Sequence, residues 1–168
     1  MEFKDSPFHK ILERDIPEVS TDAAGIERHF RRVSEFIAAI PPALQGHAYA
    51  EGKWPLAVVL GHIIDAQSVF LYRLLNIARG ETVALPGFQE ELWVANGGYG
   101  DCALADLKTL YDKAAAHTVS MALRIGKADF QRRGNANGIG ISAKEVLVYL
   151  MAHEVHHIKV IRERYLET

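Results

Sequence analysis

Near the end of the sequence, the run MAHEVHH places His153 and His157 four residues apart with Glu154 between them, a literal match to the H-E-x-x-H pattern of zinc metalloproteases. On an α-helix such a pair lies on one face with Cβ atoms about 5 to 6 Å apart, so both imidazoles can bind one metal ion. Their stripe reads Val146, Leu150, His153, His157, Val160. Two polar rings thus occupy an otherwise apolar row, and either a metal or hydrogen bonds at the edge of the core must satisfy them. A third histidine, His62, falls within WPLAVVLGHIIDAQSVFLYRLL, with Val58, Asp65 and Val69 on its own stripe. Alone it reads as a satisfied core residue. Taken with the pair it becomes the third imidazole of a three-histidine site, which leaves a coordination position open for water or substrate.

A peptidase reading does not survive the spacing. It needs a third ligand downstream, and only eleven residues follow His157. Glu163 stands six residues on with no glycine between, so about 100° per residue turns it roughly 120° off the His157 face. No edge strand is available to hold an extended peptide. The nearest candidate general bases are Glu154, which shares a helix side with Leu147, Met151 and Ile158, and Asp65, one turn after His62. Glu154 reads more readily as structural. Asp65 suits either a hydrogen bond that holds an imidazole tautomer or an interhelical salt bridge. His156 falls on a flanking stripe with Tyr149, Ala152 and Lys159, half-exposed at the mouth of any site. His9, His29, His47 and His117 have surface roles by default.

The elements that must position these residues are helical. Periodicity predicts helices from about Thr21 to Ile40, Trp54 to Ala78, Asp101 to Ile125, and Ser142 to about Tyr165, with almost nothing that alternates like a strand. Pro41-Pro42 stops the first, Gly80 stops the second, and SAKE opens the fourth as a capping box. Four such helices in one domain over residues 1–168 make an all-α four-helix bundle. The connection GETVALPGFQEELWVANGGYGD reads as an ordered loop of about twenty residues, long enough to cross the bundle and give an up-down-down-up order. It offers Phe88 and Trp93, and the glycine-rich RRGNANG offers Arg133 and Asn135, as residues bordering the opening above the histidines, with Arg133 suited to an anionic ligand.

Composition narrows the partners. A net charge of -2 with no long basic run offers no field for nucleic acid. No stretch is read as approaching the roughly 20 apolar residues that a membrane helix requires, so a soluble protein is expected. The single cysteine, Cys102, makes no intramolecular disulfide, and MEFKDSPFHK lacks the order of a signal peptide, so a cytoplasmic protein is expected.

The blocks GKW, LGHIIDAQSVFLYRLLNIARGE, LPGF, RRGNANGIGIS and AHEVHHIKVIRERYL, in that order and spacing, resemble the DinB/YfiT-like family of small metalloenzymes over about residues 50 to 166. The resemblance implies a four-helix bundle with one divalent metal, Zn2+ or Ni2+, on His62, His153 and His157. It also implies a small-molecule substrate, a frequent homodimer, and an activity like that of relatives that use the metal to activate a low-molecular-weight thiol. The chain departs from many relatives at Gln67, where they carry an acid, which bears on any substrate contact that acid makes. The function expected is a thiol-using, metal-dependent transferase. A metal-dependent hydrolase and a non-catalytic metal- or ligand-binding stress-response protein are the alternatives.

Overall fold

The computed structural model describes residues 1–167. The chain opens with a short helix, α1 (Pro7–Leu12), in which Pro7 sets the first turn and the Ser6 hydroxyl accepts from the His9 amide. Sequence periodicity missed it because six residues are too few to show a period. The first long helix, α2 (Ala23–Ala38), starts two residues later than expected. Its cap is Asp22, not Thr21, and the carboxylate accepts from the Gly25 amide at 2.7 Å. The second, α3 (Leu56–Ala78), has Pro55 as its N-cap and ends before Gly80, whose φ of +85° reverses the chain at no steric cost.

The long connection that follows is not a plain loop. It contains a helix of its own, α4 (Glu90–Asn96), and then a single turn at Tyr99–Asp101. The third long helix is α5 (Leu104–Ala122). The glycine-rich segment is also corrected: it is an antiparallel hairpin of β1 (Arg133–Ala136) and β2 (Ile139–Ser142). Asn137 and Gly138 form its two-residue turn with φ of +54° and +76°, the mirror-image turn that an Asn-Gly pair favours. Ser142 then caps α6 (Ala143–Ile161): the Glu145 amide donates to the Ser142 hydroxyl, and the Ser142 amide donates to the Glu145 carboxylate at 2.7 Å. A wider π turn, Arg162–Leu166, completes that helix.

Residue pairs fix the helix directions. Trp54 meets Tyr165 and His62 meets His153, so α3 and α6 are antiparallel. His29 meets Glu154 and Arg162 lies over Phe36, so α2 and α6 are parallel. Tyr99, just before α5, lies against Gly61 and Asp65, while Arg132, ten residues beyond α5, bonds the Ala78 carbonyl at the far end of α3. Thus α5 runs alongside α3, and the bundle is up-down-down-up.

The central helix, α3, is long and apolar enough to cross a bilayer, contrary to expectation. Here its side chains are covered by the other helices instead. Leu56, Leu60, Ile63, Leu74 and Ile77 are all buried in the core.

Candidate metal centre

One face of α3 and one face of α6 bring His62, His153 and His157 together. The His153 Nε2 lies 3.2 Å from that of His62 and 3.0 Å from that of His157, and the three ligand nitrogens all fall within 4.8 Å of one another. Burial lowers the pKa of His62, and it holds His153 well below the usual imidazole range. For His157, burial, with His62 and His156 nearby, pushes the value down to about 3. All three rings are therefore neutral near pH 7, the form that binds a metal.

The set fits a cation on chemical grounds. Three neutral imidazoles cannot satisfy one another, because the His153 nitrogen faces both of the others and carries at most one proton. A single ion accepts a lone pair from each. The Nδ1 atoms of His62 and His153 are buried and have no hydrogen-bond partner among the described residues, so packing and not a hydrogen bond orients both rings.

The two offered bases lie elsewhere. Glu154 is fully buried, but its carboxylate points away from the histidine face, to His29 Nε2 at 2.7 Å and the Tyr111 hydroxyl at 3.1 Å. One residue along a helix is a turn of about 100°, which separates Glu154 from His153. His29 is correspondingly no surface residue. Asp65 accepts from the Tyr99 hydroxyl at 2.6 Å and holds no imidazole. Gly61 makes that contact possible, since a Cβ there would stand 2.1 Å from the Tyr99 ring.

The histidines line the wall of a cavity of about 440 Å3. Phe88 also lines it, whereas Trp93 packs at a tilt against Phe88 and is 41% exposed. Arg133 and Asn135 are corrected. Arg133 is engaged by Glu2, by Glu145 and by the Gly140 carbonyl, and Asn135 closes the hairpin turn by accepting from the Gly138 amide. Alternation along β1 puts both on the face away from the cavity. Their neighbours Ala136 and Asn137 reach it, and Leu85 bonds to Asn135 and Asn137 so that the hairpin and the long connection form one rim. His156 lines the cavity with its Nδ1 3.4 Å from the buried Asp15.

Several lining residues were not singled out in the sequence: Phe8 and Ile11 of α1, Trp54, Arg73, Glu90 and Glu91. Glu90 and Glu91 are the carboxylates that act most strongly on His62 besides Asp65, and Trp54 donates to Glu91 at 3.2 Å. Arg73 had a readable signal, being a charge eleven residues after His62 and hence on the same face of α3.

Comparison with known proteins agrees with this architecture. A protein of Oceanobacillus iheyensis described as an inferred metal-dependent hydrolase is 24% identical over 139 residues, spanning 82% of this chain and 79% of that protein. YfiT from Bacillus subtilis, described as an inferred metal-dependent hydrolase with an unusual four-helix bundle topology, superposes with a TM-score of 0.70 at 17% identity, covering 86% of this chain and 87% of its own. A mycothiol-dependent maleylpyruvate isomerase superposes with a TM-score of 0.64 at 15% identity, covering 94% of this chain but 62% of the isomerase. At such identities the two superpositions show a shared fold. The sequence pattern of the DinB superfamily matches residues 26–161, and the chain belongs to that superfamily.

Proposed function

We propose that this protein is a metal-dependent enzyme in which His62, His153 and His157 hold one divalent ion, Zn2+ or Ni2+, and that it transfers a group to or from a low-molecular-weight thiol. The observation that carries the reading is the convergence of three neutral imidazole nitrogens in the wall of a deep cavity. An ion held there acts as a Lewis acid and lowers the pKa of a bound thiol or water. The residues themselves hold the three lone pairs in place, and Phe8, Phe70 and Phe88 give the cavity an apolar lining that excludes water and strengthens electrostatic interactions inside it.

A thiol is favoured because Glu154 and Asp65 are both committed elsewhere, so among the described residues no carboxylate is hydrogen-bonded to His62, His153 or His157. A thiol starts near pKa 8.5 and needs far less help to ionise than water does. The likeness to a mycothiol-dependent isomerase supports the same choice. The second reading, a hydrolase, is favoured by the rim carboxylates of Glu90 and Glu91 and by the descriptions of the relatives.

Elemental analysis of protein purified without chelators, beside a His153→Ala variant, tests the metal; equal content in the two removes the assignment. Turnover of an alkyl or aryl electrophile that requires both metal and an added thiol, mycothiol among those tried, is the expected result. Turnover that requires metal but no thiol, and is lost in Glu90→Gln, identifies a hydrolase instead. Metal binding without turnover of either kind leaves the non-catalytic binder.

A further inference from the structure

Arg73 shares the cavity with the three histidines and has an unusual environment for a charge. It is nine-tenths buried. Its Nη2 donates to the Pro86 carbonyl at 2.8 Å, the guanidinium carbon lies 5.8 Å over the Phe70 ring, and Nε is buried with no partner among the described residues. Burial lowers its pKa, and no acidic side chain among the described residues offsets that. A guanidinium stays protonated even so and has five donors to satisfy. Buried charges are otherwise paired, because the low-dielectric interior penalises a charge left without a partner.

The missing partner has room in the cavity. His62, Ala66, Phe70 and Arg73 follow one another along the face of α3 that lines it. At 1.5 Å per residue, the Arg73 backbone is about 16 Å from that of His62. Ala66, with its small side chain, lines the cavity between the two ends, as do Val146 and Phe8, whose ring stacks with Phe70 at 6.2 Å between centroids. The charges also balance. A dication on the neutral histidines is offset by Glu90 and Glu91 on the rim, which leaves Arg73 as the net positive charge of the cavity.

We infer that Arg73 anchors a carboxylate at the end of the cavity remote from the metal centre, so that the substrate is an elongated monoanion with an apolar middle and its reacting group at the histidines. This rests on the cavity being the substrate site, as proposed above. Arg73 is thereby a specificity-determining residue, and its bond to Pro86 orients the guanidinium while Nη1 makes no hydrogen bond among the described residues.

The test is calorimetric binding of octanoate and octanamide to metal-loaded protein. Charge-assisted hydrogen bonds predict that the wild type prefers the carboxylate by about tenfold to a hundredfold. Arg73→Met is expected to bring the ratio to about one while its metal content stays unchanged. A ratio near one in the wild type overturns the inference, and so does a preference that survives in Arg73→Met, since the carboxylate would then be sitting on the metal. Should Arg73→Met fail to fold, the Nε–H resonance of Arg73 in the wild-type protein gives the same answer: it shifts with octanoate and not with octanamide, and equal or absent shifts overturn the inference. A protein that holds no metal yet keeps the carboxylate preference sinks the metal assignment alone, whereas one that keeps its metal and shows no preference sinks this inference alone.

Discussion

Glu154 stands one residue after a histidine of the candidate site, yet its carboxylate belongs to a different part of the molecule, with His29 and Tyr111. Removing the shared acceptor of a buried hydrogen-bonded contact leaves its partners unsatisfied. Glu154→Ala is therefore expected to cost about 3 kcal/mol in urea unfolding while metal content is retained. Loss of metal without loss of stability would return Glu154 to the site. Gln67 shows the opposite situation. It is buried, and both polar atoms of its side chain are without partners among the described residues. An apolar side chain of similar size removes that cost, so Gln67→Leu should raise stability by about 1 kcal/mol. An unchanged or lower urea midpoint would mean that the amide has a use here. Neither environment is legible in the sequence, because a helical wheel gives a residue's side but not what faces it.

At the scale of elements, caps and stops were the readable features. The Ser142–Glu145 capping box, the Gly80 stop and the Pro41-Pro42 break all act through a residue's own backbone or its near neighbours. Asp22 carries a pH prediction. Hydrogen bonds from the Ser20 hydroxyl and the Gly25 amide hold its pKa below the ordinary 3.8. The unfolded chain therefore binds more protons between the two values, and the cap's stabilisation is present above about pH 4 and is lost as pH falls through the folded value. Asp22→Asn keeps an acceptor without the titration, so from pH 5 to pH 2 it should lose less stability than the wild type in urea unfolding. Equal losses would show that the charge contributes nothing. The hairpin was missed although its Asn-Gly turn is a strong local signal, because four-residue strands rich in glycine show no alternation. In α4 only seven residues are helical, too few for a period to emerge.

At the scale of the whole molecule, the three histidines tie α3 to α6, which are separated by 64 residues of chain. An ion that binds only the folded state at 100 times its dissociation constant adds about 2.7 kcal/mol. For a chain of this size that raises Tm by about 5 to 10 °C. Differential scanning calorimetry of the wild type with and without Zn2+ should show the shift, and His62→Ala should abolish it. A shift that persists in His62→Ala would place the ion elsewhere. The sequence by itself determined the four long helices, their order and the faces on which His62, His153 and His157 lie, since periodicity, caps and the i,i+4 spacing are local. Only the tertiary structure decided that Glu154 turns to α2, that Asp65 is held by Tyr99, that Arg133 belongs to Glu2 and Glu145, and that Arg73 is buried in the cavity without an acid. Those outcomes depend on which side chains from distant segments compete for the same space and the same hydrogen bonds, and that is fixed only when the helices pack.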